Sequence, residues 1–438
     1  MDDDGRRSKG LGRSCILLIV IGGVERFAFK GVASNLITYL TDVVKMSNSS
    51  AAKTVNNWCG VTSILSLLGA LVADSYWDRY STILASSFLY VVGLAALTST
   101  ALLRAATSKT SSSLSLFWSL YLISIGQGGY NPCLQSFAAD QLECDDDLPC
   151  SKDDQKTKKK SSFFQWLQET PLCEQEFDSS KTMGDENPNN EIVTFDLRLL
   201  LKLLPIWITL LMFAVVFQQP ATFFTKQGMT MKRNIGNSFV IPPATLQSAI
   251  TISIVLLMPL YDKMIIPFIQ IITQTNKGIN VMQRMGIGMV LSIAAMAIAA
   301  IVETKRLKVS RSGLLQSQSS TVPMSIFWLL PQYIFLGISD VFTVVGMQEF
   351  FYTQMPSRMR TMGIALYLSV FGVGSFLSAL LISVVEIVTS TSRHRQSWFS
   401  DNLSEASLDC YYWLLTLLST LSLLVFVCLC KYYKQNSK

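Results

Sequence analysis

Histidine is almost absent: the 438 residues contain one, His394, in a polar loop. A catalytic site built on histidine is therefore not expected. The nine cysteines show no C-x-x-C spacing, so we predict neither a metal site nor a disulfide framework. The chain also lacks a P-loop, H-E-x-x-H or G-x-S-x-G motif in a suitable context. These absences predict a protein that is not an enzyme and that has no cofactor.

Charged residues are also scarce. They make up 15% of the chain, whereas hydrophobic residues make up 50%, which is too apolar a composition for a soluble domain of this length. The net charge of +6 comes from lysines and arginines scattered over many loops. This distribution indicates membrane topology and not a nucleic-acid-binding surface. We therefore expect the lipid bilayer, and no nucleic acid, around this chain.

Long apolar runs fill most of the sequence, and about 20 such residues are enough for a helix that crosses a membrane. We predict ten spans: 14–40, 55–73, 81–103, 114–138, 197–220, 244–271, 281–302, 323–353, 361–388 and 411–430. An even number places both termini on one side, and a weak excess of Lys and Arg favours the cytosol for that side. The loop 303–311, "ETKRLKVSR", lies on the other side and counts against this orientation.

The segment 143–196 differs from the rest in composition. It contains "ECDDDLPCSKDDQKTKKKSS" and "SKTMGDENPNNE", which offer few residues for a core. We predict a cytosolic polar linker there. It would divide the chain into an N-terminal bundle of four helices, 1–142, and a C-terminal bundle of six, 197–438.

Motifs along nearly the whole chain carry a family resemblance. They are, in order, "VERFAFKGVASNLITYLT", "LLGALVADSYWDRYSTI", "GQGGYNPCLQSFAADQL", "LLPIWITLLMFAVVFQQPATFFTKQG", "IPPATLQ", "YDKMIIP", "QRMGIGM", "FWLLPQYIFLGISDVFTVVGMQEFFYTQMPSRMRTMGIALY" and "DCYYWLL". Together they resemble the plant nitrate/peptide branch of the proton-coupled oligopeptide transporters, within the major facilitator superfamily, and subfamily five most of all. The resemblance implies an all-α, polytopic membrane protein that moves a small solute or ion with protons.

The resemblance also exposes a gap. In the family, "KKSSFFQW" opens the fifth helix, but here Trp166 is followed directly by "LQETPLCEQEF", which resembles the segment before the seventh helix. Family helices five and six thus have no counterpart, and the bundle has about ten helices instead of twelve. A splice form, a gene-model error and a true deletion all remain open as causes.

The first apolar run contains three charged residues within a stretch of six: Glu25, Arg26 and Lys30. A charge at mid-bilayer costs about 2.5–3.5 kcal/mol on insertion scales, so such residues face a partner or a water-filled cavity. The family's Glu-Arg motif implies that they line a central substrate and proton-coupling site. The alternative is a neutral Glu–Arg pair that only tethers helices.

Three positions depart from the family pattern. The first glutamate of the first-helix motif falls at Gly22, and the lysine of the fourth-helix motif falls at Asn131. Both members of an acid–base pair implicated in coupling to protons are therefore missing together. Phe217 occupies a position where nitrate-transporting relatives can have histidine, which removes a histidine-dependent nitrate site.

The remaining candidates are less specific. Glu349 corresponds to a cavity-facing glutamate of the family, and no cation lies within a turn of it in the sequence, so we expect it to be a better proton carrier than Glu25. An unseen partner such as Arg26 or Lys30 would weaken that expectation. Asp340 is the other carboxylate of the same span. The cavity-lining candidates are Tyr39, Tyr130, Asn131, Phe217, Gln218, Gln219 and Asp340. Packing is an equal alternative for the tyrosines and glutamines and suffices for Phe217, and a hydrogen bond to a neighbouring helix is the equal alternative for Asp340. The candidate gate loop contains Asp74, Asp78 and Arg79, with a solvated turn as its alternative.

Two functions remain open at this stage. The first is a secondary transporter of nitrate, a peptide-like solute or another organic anion, in the plasma membrane or the vacuolar membrane. The second is a truncated, non-transporting isoform that is unstable or that pairs with and regulates a full-length homologue.

Overall fold

Long α-helices account for most of the computed structural model, which describes residues 13–106, 113–146, 188–235, 239–261, 280–313, 321–355, 360–390, 398–400 and 406–436. Within these ranges there are eleven α-helices: α1 (Arg13–Asp42), α2 (Asn48–Ser75), α3 (Arg79–Ala106), α4 (Ser113–Asp146), α5 (Pro188–Phe217), α6 (Phe223–Met229), α7 (Ser248–Leu260), α8 (Val281–Gly313), α9 (Leu330–Thr353), α10 (Arg360–Ser390) and α11 (Leu408–Asn436).

Four short strands and three 3₁₀ turns connect some of the helices. The strands are β1 (Met231–Lys232), β2 (Asn234–Ile235), β3 (Phe239–Val240) and β4 (Val322–Ser325), and the 3₁₀ turns are Gln219–Ala221, Pro243–Gln247 and Ile326–Leu329. β1 pairs with β4 in parallel, and β2 pairs with β3 in an antiparallel hairpin. The β1–β4 pair ties the chain after α6 to the chain before α9.

All ten predicted spans contain a helix, and the all-α membrane fold is confirmed. Among the described residues, eight helical segments are long and apolar enough to cross a membrane: Asn48–Ala73, Tyr80–Leu103, Leu201–Met229, Pro243–Leu260, Val281–Arg311, Ile326–Thr353, Thr361–Ser390 and Leu408–Tyr432. The other two predicted spans, α1 and α4, are helices of 30 and 34 residues that contain the charged "ERFAFK" and the glycine-rich "GQGGYNP" stretches.

Some boundaries differ from the prediction. α8 continues to Gly313, so the predicted loop 303–311 is helical. The start of span 323–353 is β4 and a 3₁₀ turn, and α9 begins only at Leu330, with a proline in its first turn. α4 and α5 extend into both ends of the predicted linker 143–196, and residues 147–187 lie outside the described part of the chain.

Glycines let α4 pack closely on its neighbours. A Cβ at Gly126 would lie 2.6 Å from the backbone nitrogen of Tyr90 on α3, and one at Gly128 would lie 2.7 Å from the Cβ of Leu65 on α2. Any larger residue would force these backbones apart. The glycine-rich stretch of α4 thereby holds α2, α3 and α4 in one tight group.

The principal contact between the first four helices and the rest is α2 against α10. Asn56 on α2 donates a 3.0 Å hydrogen bond to Ser378 on α10, and a Cβ at Gly60 would collide with the Phe376 ring at 2.9 Å. α1 packs more loosely, with one face exposed at Val20, Val24 and Phe27. The two groups of helices are therefore joined through α2 and α10, and α1 lies at their margin.

Candidate functional site

The three charges of α1 do not share one environment. Glu25 is buried, whereas Arg26 and Lys30 are exposed. Successive residues of a helix are 100° apart, so neighbours can face different surroundings. Glu25 lies close to the Gln127 amide, and its Oε1 accepts no hydrogen bond in the described part of the structure. The predicted Glu25–Arg26 cluster therefore divides into a buried acid and two accessible cations.

Asp340 on α9 is the acidic counterpart of these cations from the second group of helices. Its side chain is half-buried, its Oδ1 is sealed from solvent without a hydrogen-bond partner among the described residues, and it interacts electrostatically with Lys30 and Arg26. None of these interactions is a direct ion pair. The two cations and the acid therefore come from different groups of helices and interact without direct contact.

Phe217 ends α5 and lies beside Lys30. The Lys30 ammonium lies 5.2 Å from the centre of its ring, which is within the range of a cation–π contact. The ring also meets Phe371 edge-on at 5.2 Å and stacks on Phe213 at 6.2 Å. Phe217 therefore packs in an aromatic cluster and also contacts the Lys30 ammonium.

The other predicted lining residues are mostly buried. Tyr130 lies near Glu25 and Arg26, with a hydroxyl that has no partner among the described residues. Tyr39 is half-buried against the core. Gln218 is buried, and Gln219 is fully buried and donates a 3.0 Å hydrogen bond to the Val215 carbonyl near the end of α5. Tyr130, like Phe217, therefore lies beside the α1 charges.

A neutral polar network, not predicted from the sequence, crosses between the groups near Asn131. Gln135 Nε2 donates to Asn131 Oδ1 at 2.7 Å on α4. Gln135 Oε1 accepts from Gln348 on α9 at 3.2 Å and from the Tyr367 hydroxyl on α10 at 3.0 Å. We call these four residues the inner seal, since they lie towards the end of the bundle that carries the α4–α5 connection. Asn131 and Gln135 were within a recognised motif, but their partners lie more than 200 residues away.

Glu349 pairs with a cation that the sequence did not identify. It is 2% exposed, Arg284 on α8 is 3% exposed, and Arg284 Nη1 lies 3.9 Å from Glu349 Oε2. The partner is therefore Arg284 and neither Arg26 nor Lys30. Arg284 belongs to the quoted motif "QRMGIGM", but no spacing rule connects it to a residue on another helix.

Ion pairs join the groups at the opposite end, the outer end, which carries the α1–α2 connection. Glu386 on α10 accepts from Lys53 at 2.8 Å and from the Ser49 hydroxyl at 2.7 Å. Lys226 on α6 lies 3.6 Å from Asp42 on α1 and donates a short hydrogen bond to Thr41. We call Lys53–Glu386 and Lys226–Asp42 the outer ion pairs.

A second buried arginine–glutamate pair lies on the outer part of α8. Glu303 and Arg306 are both fully buried, with Nη2–Oε1 at 2.6 Å and Nε–Oε2 at 2.8 Å. Arg306 also donates to the Thr230 hydroxyl at 3.2 Å. This bidentate pair within one turn explains why α8 continues through residues that resemble a loop.

The candidate gate loop connects α2 to α3. The Asp78 carboxylate accepts from the Ser81 hydroxyl at 2.7 Å and from its amide at 3.0 Å, which caps the start of α3. These bonds, that from the hydroxyl first, hold the pKa of Asp78 below its usual value. Asp74 lies in the last turn of α2, and Arg79 is the first residue of α3. The side chains of both lie outside the described part of the structure.

Comparisons with known proteins agree on one family. The model of the POT family matches residues 80–169 and 174–399. Protein NRT1/PTR FAMILY 5.9 of Arabidopsis thaliana is 49% identical over 99% of this chain and 97% of its own length, and Protein NRT1/PTR FAMILY 5.10 of the same plant is 38% identical over 98% and 94%.

Solved structures of low sequence identity share the fold. A crystal structure of an auto-inhibited POT family peptide transporter has a TM-score of 0.68 at 17% identity and covers 96% of this chain and 97% of its own. The in meso crystal structure of the POT family transporter PepTSo has a TM-score of 0.65 at 17% identity, with 97% and 99% covered.

The comparisons also bear on the predicted gap. The alignment with the first relative runs over 549 positions, although this chain has 438 residues. A long stretch of that relative therefore has no counterpart here. The interruption of the family match, between 169 and 174, falls at the junction "FFQWLQETP" where the missing segment was predicted.

Proposed function

Since the chain belongs to the POT family of transporters, we propose that it is a proton-coupled secondary transporter of a small polar or anionic solute: nitrate, a peptide-like molecule or another organic anion. It is an integral, multi-pass membrane protein. We place both termini and residues 139–196 in the cytosol, and the protein in the plasma membrane or the vacuolar membrane. Transport would proceed by rocking the two groups of helices about the space between them.

One observation supports the substrate class: Arg26 and Lys30 are exposed in the middle of a membrane helix of the first group, and both interact electrostatically with Asp340 in the second group. Cations at this depth are tolerated where they meet water or an opposite charge. They would attract a carboxylate or nitrate group. Asp340 would then bind a cationic group of the solute or balance the charge of the empty site.

The proposal requires proton coupling without the acid–base pair of peptide-carrying relatives. Gly22 and Asn131 replace its two members, and Asn131 instead accepts a hydrogen bond from Gln135. Two acids of the second group of helices are buried, Glu303 and Glu349; Glu303 is bound bidentately to Arg306, whereas Glu349 lies 3.9 Å from Arg284. We therefore assign the proton to Glu349, and assign Glu25 to folding or to substrate affinity.

Uptake by liposomes containing the purified chain tests this function. Labelled nitrate, a dipeptide and 5-aminolevulinic acid serve as probes, the last because a structurally similar POT transporter was solved in complex with it. We expect one probe to accumulate under an inward proton gradient. Arg26→Gln and Lys30→Gln should raise its KM roughly tenfold, equivalent to about 1.4 kcal/mol. Lys45→Gln, in the exposed α1–α2 connection, is the matched control. Equal KM values in all three variants would contradict the assigned site.

The missing segment supports a second candidate function, a non-transporting isoform that is unstable or regulates a full-length homologue. Without two helices, polar groups beside α1 would face lipid, which a membrane protein does not tolerate. Inserting family helices five and six after Trp166 tests this alternative. Transport that appears only in the longer protein would favour the isoform, whereas equal transport in both forms would refute it.

A further inference from the structure

Arg284 is held in place without the help of Glu349. Its Nη2 donates a 3.2 Å hydrogen bond to the Val341 carbonyl, and its guanidinium lies 4.6 Å from the centre of the Tyr261 ring at the end of α7. A backbone acceptor and an aromatic face thus position the cation. The carboxylate of Glu349 is added to a charge that is already fixed.

The pair itself is loose. The 3.9 Å between Nη1 and Oε2 exceeds the 2.7–2.9 Å of a charge-assisted hydrogen bond, and Oε2 accepts no hydrogen bond from the described residues. Because both side chains are almost completely buried, their attraction is weakly screened. Glu349 therefore feels the cation, yet it can take up or release a proton without breaking a hydrogen bond to it.

The close packing of α8 on α9 sets this distance in the structure. α8 and α9 approach so closely that a Cβ at Gly288 would collide with the Thr343 side chain, and Ser339 donates a 2.6 Å hydrogen bond to the Gly288 carbonyl. Gly288 is one turn beyond Arg284 on α8. The two helices thus present the cation and the acid to each other at a defined separation.

The other helices packed on α9 contribute no charged side chain near Glu349 in the described part of the chain. Tyr261 at the end of α7 contacts Arg284, and the Tyr367 hydroxyl of α10 is directed to Gln135. Arg284 is the charged group that acts electrostatically on Glu349. The residue next to Glu349 is Gln348, which belongs to the inner seal.

We propose that Arg284 is the positioning residue of the proton-coupling site: Glu349 alternates between a carboxylate attracted to Arg284 and a neutral acid, and this change acts through α9 on the inner seal. The proposal rests on the transport function proposed above. A proton that reaches Glu349 cancels its charge and leaves that of Arg284, so the ionic attraction between these two side chains is lost, while the hydrogen bonds from Arg284 to Val341 and from Ser339 to Gly288 remain. α9 can then move Gln348 away from Gln135. Loss of the proton restores the pair and the seal.

Infrared spectroscopy of the purified protein during a pH titration tests the pair without requiring transport. We expect a protonated-carboxyl band that disappears in Glu349→Gln and persists in Glu386→Gln. In Arg284→Gln, the acid should keep its proton to a pH about 1–3 units higher, because the neighbouring cation is gone. Arg284→Lys should return the midpoint towards that of the unmodified protein. An unchanged midpoint in Arg284→Gln would overturn the proposal.

A second measurement covers the case in which Arg284→Gln does not fold. In the unmodified protein with isotope-labelled arginine, a guanidinium band should change at the same pH as the Glu349 carboxyl band, and this change should vanish in Glu349→Gln. A guanidinium spectrum that is independent of Glu349 would overturn the pairing.

Transport by liposomes then separates the two proposals. With whichever of the three probes accumulates, Arg284→Gln and Glu349→Gln should reduce gradient-driven accumulation at least tenfold, whereas the control Lys45→Gln should stay within about twofold of the unmodified protein. Full gradient-driven uptake in either variant contradicts the coupling role. If the infrared titrations show that Glu349 and Arg284 are linked but no probe accumulates, the proposed transport function is refuted, and the coupling role that rests on it is refuted as well. If a probe accumulates but the titrations of Glu349 and Arg284 are not linked, the role of Arg284 is refuted and the proposed transport function stands.

Discussion

Helix α8 contributes to two buried arginine–glutamate pairs. Glu303 and Arg306 pair near its outer end, and Arg284, nearer its inner end, pairs with Glu349 of α9. The first pair is bidentate, at 2.6 and 2.8 Å, and both residues belong to one helical turn. The second joins two helices at 3.9 Å. Movement between helices cannot alter the first pair but must alter the second. The same two residue types can therefore serve as a fixed brace or as a responsive contact, depending on whether one helix supplies both.

Removing one member of the tight pair should have the largest effect on stability. Glu303→Gln leaves Arg306 fully buried without a carboxylate, which should cost about 3–5 kcal/mol of the free energy of unfolding. Glu349→Gln should cost much less, because its Oε2 accepts no hydrogen bond among the described residues. Detergent-induced unfolding of both variants measures the difference. Equal losses would remove the distinction between the two pairs.

Replacing both members of the tight pair should be far milder than removing one. Glu303→Leu combined with Arg306→Met exchanges two desolvated charges for apolar side chains of similar volume, which is neutral or stabilising by about 1–4 kcal/mol in known cases. The same unfolding assay applies. A double variant as unstable as Glu303→Gln would show that the pair contributes through its bond to Thr230 as well.

The outer pair Lys53–Glu386 extends the comparison to partly exposed charges. Its side chains are 27% and 33% exposed, so water and salt screen the attraction. A double-mutant cycle of Lys53→Met and Glu386→Gln should give a coupling energy of about 0.2–1 kcal/mol. A coupling as large as that of the buried pairs would mean that burial does not determine strength in this protein.

Asp78 supplies the fully exposed end of the comparison and a test of pH dependence. Its pKa is lowered by Ser81, so its contribution to stability is present above the unfolded value of about 3.9 and is lost as the pH falls through the folded value. Asp78→Asn keeps an acceptor at the start of α3 but cannot titrate. The unfolding midpoints of the unmodified protein and of Asp78→Asn should therefore differ by a constant amount at neutral pH, and this difference should change only at acid pH. A difference that is constant from neutral to acid pH would contradict this.

The sequence was sufficient for the helices but not for the pairs between them. Apolar runs predicted ten spans, and each contains a helix, because burial in lipid requires the backbone of a segment to satisfy its own hydrogen bonds. Glu303 and Arg306 were assigned to a loop, since hydropathy treats two mutually paired charges as if each were solvated. Arg284 was in a quoted motif, yet its relation to Glu349 depends on how α8 packs on α9, and periodicity along one helix contains no such information.

The structure shows relations among the predicted site residues that the sequence did not contain. Glu25, Arg26 and Lys30 were expected to share one cavity, but burial separates the first from the other two. The helical repeat fixes the angle between successive side chains of α1, but it does not show which of them contacts another helix. Asp340 becomes the counterpart of Arg26 and Lys30 only when two distant helices are brought together.

The two ends of the bundle are closed by different chemistry, with charged side chains in the outer ion pairs and neutral amides and a phenol in the inner seal. The Debye length falls from about 10 Å at 0.1 M salt to about 3 Å at 1 M, which weakens accessible ion pairs and leaves amide bonds nearly unaffected. We expect concentrated electrolyte to loosen one end and spare the other. The medium bathing a single face of the membrane would then set how long the protein waits in each orientation, without binding at any specific place.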